Sequence, residues 1–156
     1  MQALLYTDTD RIRAVLGVDE KDLSDEQITA RDLEKELRIE LLSWVSNYAA
    51  LMVTGLGTAA TEVQVSIADA LSLYCTYYCS IRAIKTLQMA APQRVSDGQN
   101  ALDRFATIDW QGLTLDLKEL AATYKKYVQD NTLTSTPKIY SALTGVGLQT
   151  DPVLQG

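Results

Sequence analysis

The sequence contains no histidine. That removes the commonest metal ligand and the commonest general base from any site it could build. Cysteine is scarce too, with Cys75 and Cys79 as the only pair. Neither their number nor their spacing fits a secreted disulfide framework. Four residues apart on a helix, they share one face, where an intrahelical disulfide has poor geometry. A structural zinc site would need carboxylates or another chain's thiols. Buried, unreactive thiols are therefore expected, with no metal and no cofactor. Cations are in deficit: 14 lysines and arginines face 20 aspartates and glutamates, a net charge of −6. A protein that holds nucleic acid by neutralising phosphates needs the opposite balance. No apolar run reaches the roughly 20 residues of a membrane span, because Glu62, Asp69, Arg82 and Lys85 interrupt the apolar middle. The start, Met1-Gln2-Ala3-Leu4-Leu5, lacks a basic n-region, so no signal peptide is expected. No Walker loop, dinucleotide fingerprint or nucleophile elbow is present.

What remains is a chain of 156 residues, 47% hydrophobic and 22% charged, the composition of a folded protein. Charge is uneven. Residues 1–50 carry 11 acids and 6 bases, residues 51–90 carry 2 and 2, and residues 91–156 carry 7 and 6. The acidic surface therefore belongs to the first third.

Periodicity predicts an all-α fold, an elongated bundle of about four to five helices. Thr7 or Asp8 is a candidate N-cap for a helix holding Ile12, Val15 and Leu16, with Gly17 as its C′ residue. Ser24 and Gln27 have the spacing of a capping box. Residues 32–52 read as one helix through Leu33, Leu37, Leu41, Trp44, Val45, Tyr48 and Leu51, with Glu40 alone polar in the stripe. Thr54-Gly55-Leu56-Gly57-Thr58 ends it. Residues 59–90 form the strongest element, a long central helix apolar most of the way round. Ser96-Asp97-Gly98 reads as a turn capping a helix from near Gln99 through Leu102, Phe105 and Ala106. Asp109-Trp110-Gln111-Gly112 interrupts, and Thr114–Asp130 forms a last helix with Lys118, Lys125 and Lys126 on its solvent side. Leu113–Leu117 also alternates as a short strand would.

Residues 1–131 thus form the helical domain, and residues 132–156 an extended C-terminal arm. The arm holds Thr, Ser, Pro and Gly, yet it is too apolar for a solvated linker. It is expected to dock on a partner through Ile139, Tyr140, Leu143, Val146, Leu148, Pro152 and Val153.

The remaining candidates for chemistry have plainer explanations. Asp19, Glu20, Asp22, Asp25 and Glu26 fail the calcium-loop pattern, which needs a sixth-place glycine and a twelfth-place glutamate, so they read as a solvated acidic face. Tyr74, Tyr77 and Tyr78 lack the basic groove that base stacking requires, so they read as packing residues.

Three segments in order carry a resemblance: Tyr6–Val18 with Asp22-Leu23-Ser24-Asp25, Ala91–Gly98 with Arg104-Phe105, and Thr150-Asp151-Pro152-Val153. Together they resemble the head-to-tail connector (adaptor) proteins of tailed bacteriophages. Gln99 departs from the basic residue usual there, and no contact is assigned to it. The resemblance implies a non-enzymatic virion protein, assembled in the host cytoplasm and placed at the head–tail junction. It implies a ring of twelve copies beneath the portal protein, touching tail or nozzle proteins, with DNA passing through its channel and no membrane involved. An acidic lumen drawn from residues 1–50 would let DNA slide without sticking. A lumen lined by Lys118, Lys125 and Lys126 would contradict that expectation. The alternative is a small helical protein-binding or regulatory module, monomeric or dimeric.

Overall fold

A computed structural model describes residues 3–29, 32–90, 95–96, 101–102 and 108–133, with the side chains of 89, 90, 95, 96, 101, 102 and 133 left aside. The fold is all-α. Among the described residues there are six helices: α1 (Thr9–Leu16), α2 (Asp25–Thr29), α3 (Leu33–Trp44), α4 (Tyr48–Gly55), α5 (Glu62–Ala90) and α6 (Trp110–Leu133). Two antiparallel pairs of two-residue strands complete it: β1 (Ala3–Leu4) with β2 (Thr7–Asp8), and β3 (Val95–Ser96) with β4 (Ala101–Leu102).

The 29 residues of α5 span about 43 Å. Every other major helix packs on it, α6 most extensively, then α4, α1 and α3. Its core residues Leu71, Cys75, Cys79 and Leu87 are fully buried. They meet Ile12, Leu23, Ile28, Leu37, Leu41 and Val128 in one hydrophobic core.

Local chemistry explains the ends. Asp8 caps α1 by accepting from the Arg11 backbone N–H at 2.8 Å. Gly17 closes α1 at φ 67°, donating its N–H toward the Ala14 and Arg13 carbonyls. Ser24 and Gln27 form the reciprocal box, at 3.3 Å and 2.8 Å. Thr61 and Gln64 make a second one at the start of α5, which the sequence reading had not singled out.

Four expectations need correction. First, residues 32–52 are two helices, because the chain turns at Val45 (φ −144°, ψ 73°) before Ser46 and Asn47. Serine and asparagine offer the backbone competing hydrogen bonds and favour turns over helix interiors. The apolar stripe continues across the break because both helices face α5. This split, with the short α2, raises the count to six.

Second, Gly55 does not merely break a helix. It lies in the last turn of α4, where an added Cβ would stand 2.5 Å from both the Ala68 Cβ and the Gln64 carbonyl oxygen of α5. Third, Leu102 is in a strand paired antiparallel with Val95, not in a helix, and Asp97, Gly98 and Gln99 lie outside the described residues. Phe105 and Ala106 lie outside the described residues. Fourth, α6 begins at Trp110, not Thr114. Asp109 is its cap, its carboxylate accepting from the Gln111 and Gly112 N–H groups at 3.1 and 2.9 Å. The whole of Leu113–Leu117 is helical, which removes the strand reading.

Candidate functional site

The two sides of α5 are built differently. On one side, Ser72 and Thr76 face the first elements of the chain. Ser72 donates to the Tyr6 carbonyl at 2.9 Å and accepts from Arg11 at 3.1 Å, while Thr76 and Thr7 share a buried hydroxyl pair at 2.9 Å. Arg13, buried on the far side of α1, ties down the acidic segment. It donates to Asp25 at 2.8 Å, to the Leu23 carbonyl at 3.1 Å and to Asp10. Burial works against its charge, but the two carboxylates outweigh burial and raise its pKa. Hydrogen bonding by Thr9, then by Arg13, holds the Asp25 carboxyl down at about 2. Asp19 accepts from the Lys21 and Asp22 backbone at 2.8 and 3.1 Å. The acidic segment Asp19–Glu26 is thus a folded lobe, fastened to α1.

On the other side, α3, α5 and α6 leave a groove of about 890 Å³. Its wall from α5 includes Tyr74, Tyr78, Ile81, Arg82 and Lys85, and α6 adds Trp110, Leu115, Lys118, Ala121 and Lys125. From α3 comes Glu40, whose Oε1 accepts from both the Tyr74 hydroxyl at 2.9 Å and the Lys125 ammonium at 3.1 Å. This accounts for the one polar residue in an apolar helix stripe. Burial opposes the charge on Glu40, yet Lys125 and Tyr74 prevail and lower its pKa. Burial, reinforced by Glu40, pushes the Tyr74 hydroxyl well above its ordinary value.

Aromatic rings hold the cations in place. The Lys125 ammonium lies 5.0 Å from the centre of the Trp44 ring, and the Arg82 guanidinium 5.3 Å from that of Tyr78. Arg82 also pairs with Glu36 at 3.4 Å. Trp44 stands edge-on to Tyr74 at 4.9 Å, and Tyr74 stacks on Tyr78 at 6.1 Å. Lys85 and Lys118 are exposed and make no ion pair among the described residues. Arg82, Lys85, Lys118 and Lys125 therefore make the groove basic on an acidic protein, with Glu40 the one acidic lining residue among those described.

The sequence reading placed Lys118, Lys125 and Lys126 together on the solvent side. The structure keeps Lys118 and Lys126 there and turns Lys125 inward, leaving its side chain 32% exposed against Glu40 at 31%. The tyrosines are packing residues: Tyr77 stacks on Tyr124 at 5.8 Å, beside the Tyr74–Tyr78 pair. Cys75 and Cys79 are buried and free, and burial pushes the Cys79 thiol up to about 12 and Cys75 higher still. No cluster of three or more metal-ligating side chains occurs among the described residues, and none of their helices is long and apolar enough to cross a membrane. Ile139, Tyr140, Leu143, Val146, Leu148, Pro152 and Val153 lie outside the described residues. The basic groove escaped the sequence reading because its cations come from helices 33 residues apart, Lys85 and Lys118. The visible signals were Glu40 in its stripe and Arg82 with Lys85 three residues apart on one helix face.

Searches of family models, of curated proteins and of solved structures found no match to this chain.

Proposed function

We propose that this chain is a structural ring subunit of a tailed-phage virion, joining portal to tail and continuing the DNA channel. The observation that carries the reading is apolar surface left open around the helical body. Val53 is 76% exposed, Leu56 72%, Ile39 69% and Leu115 59%. They come from the α4 end, α3 and α6, so three helices each contribute uncovered apolar side chains. Exposed apolar area on several helices of a small body suits neighbours that cover it. The sequence resemblance supplies the kind of neighbour: copies of the same chain, a portal protein above and tail proteins below. The reading assigns the chain no catalytic step. Residues 132–156 dock on the partner.

Co-purification with the cognate portal protein tests the reading. The full chain binds the portal ring, and deleting residues 137–156 keeps the helical circular dichroism while abolishing binding. A full chain that ignores the portal sinks the reading, and a truncated chain that docks normally sinks the role of the arm. A second reading, a monomeric or dimeric helical binding module, is favoured by the basic groove. It would be supported by a full chain that remains a monomer or dimer in the portal's presence.

A further inference from the structure

Resting on the ring reading, we propose that the basic groove between α3, α5 and α6 of one copy receives the acidic lobe Asp19–Glu26 of the next. The placement of the two surfaces is the first argument. Residues two apart on an α-helix point about 200° apart. Ser72 and Thr76 bond to Tyr6, Arg11 and Thr7, whereas Tyr74 and Tyr78 line the groove, and the lobe is fastened to α1 through Arg13. The elements that carry the lobe and the groove therefore sit on opposite sides of α5, so the lobe of one copy is offered to the groove of another. Such a pair makes a heterologous contact, the kind that propagates head to tail and closes into a ring when the rotation allows.

Charge is the second argument. Residues 19–26 carry five acids and one base, and Glu20 and Glu26 are exposed. The groove offers four cations against the Glu40 carboxylate, and that carboxylate is already shared by Tyr74 and Lys125. Lys85 and Lys118 are left to meet incoming carboxylates, beside apolar Ile81 and Leu115. The chain's own arm answers this charge poorly. Residues 132–156, of which α6 takes the first two, contain one lysine and one aspartate, with no net side-chain charge to offer.

The full chain at low ionic strength, where such pairing is least screened, is treated with a carbodiimide that joins amines directly to carboxylates. An equal mixture of isotopically labelled and unlabelled protein marks the intermolecular links. The expected dimer band contains Lys85 or Lys118 joined to Glu20 or Glu26. Because K85E/K118E also removes the reacting amines, the reversals are read by sedimentation rather than by linking: K85E/K118E weakens self-association about tenfold or more, as like charges brought together would. E20K/E26K does the same, and the chain with all four changes regains association. Mixing the groove-reversed with the lobe-reversed chain restores association in alternating order, because each groove then meets a lobe of the opposite sign. Circular dichroism checks that each variant is folded. Links from Lys85 or Lys118 to Asp151 would give the groove to the chain's own arm and overturn the proposal. So would links confined to other carboxylates, or a self-association unmoved by either reversal. Portal co-purification by K85E/K118E reads the ring proposal separately: rings or portal binding that survive this change defeat the contact and leave the ring, whereas a wild-type chain that ignores the portal defeats the ring.

Discussion

The α1 side and the α6 side of the long helix use the same ingredients, an ion network laid over an apolar floor, to opposite ends. On the α1 side the cation is sealed. Arg13 is 6% exposed and has two carboxylates, a carbonyl and a hydroxyl around it. On the α6 side the charge is half open. Glu40 and Lys125 meet at the edge of a groove, with lysines beyond them that make no ion pair among the described residues. A sealed network cannot meet a partner without unfolding, so it serves stability and fixes how the acidic lobe is carried. A half-open one loses little when its outer members change, so it can serve association. Mutations should therefore separate the two sides: stability effects on the first, binding effects on the second.

The largest expected effect tests the buried core that both sides share. Leu71→Ala removes a fully buried side chain of α5 and should cost about 3 kcal/mol by denaturant unfolding. Leu115→Ala, on the groove rim, should cost less than about 1 kcal/mol while reducing self-linking. Equal losses of stability at the two positions would erase the distinction. Next, Asp25→Ala should cost about 2 kcal/mol, because it strips one partner from a buried guanidinium that keeps Asp10. Asp25 has a folded pKa of about 2, below its ordinary 3.8. Its contribution is thus complete above about pH 4 and fades as pH falls toward 2. Asp25→Asn should flatten the acid limb of the stability curve in that window, and an unchanged limb would mean that Asp25 is not held by Thr9 and Arg13. Gly55→Ala should cost about 2 kcal/mol, since the new methyl meets the α5 backbone and not a side chain that can move aside. A neutral outcome would show that the α4–α5 approach is looser than 2.5 Å implies.

Much of this body is legible in the sequence where the cause is local. Asp8, Gly17, Ser24 and Gln27 act within one turn of themselves, and their spacing names their task. The long helix is legible because its apolar residues recur through 29 positions. The misreadings share a different cause. Across 45–47 the periodic stripe outweighed the turn preference of Ser46 and Asn47, because a pattern seen along the chain cannot tell one helix from two that face the same neighbour. Gly55 looked like a breaker because its packing partner, Gln64, lies across a turn. Asp109 looked like an interruption because a cap and a break use the same residue types. The groove is the furthest from legible. Its charges are assembled from three helices, and only Glu40 hinted that an apolar face had a polar appointment elsewhere.

The smallest expected effect is the one that most sharpens the contrast. Glu40→Gln keeps the shape and an acceptor for the Tyr74 hydroxyl but removes the negative charge facing Lys125. At a site about a third exposed on both partners, the loss of stability should be about 1 kcal/mol or less. The folded pKa of Glu40 lies below its ordinary 4.5. The stabilisation it gives is therefore present above that value and lost as pH drops through the lower folded one. The glutamine variant should differ from wild type at neutral pH and converge on it in acid. Association should move the other way. With Lys125 released, the groove has one more cation for an incoming carboxylate, so self-linking to Glu20 and Glu26 should rise above wild type at low salt and lose that advantage as salt screens it. Less stable and more sticky is a combination that a residue serving the fold alone would not produce; a variant that is both less stable and less associative would put Glu40 on the sealed side's ledger, and the two faces of α5 would differ in exposure only.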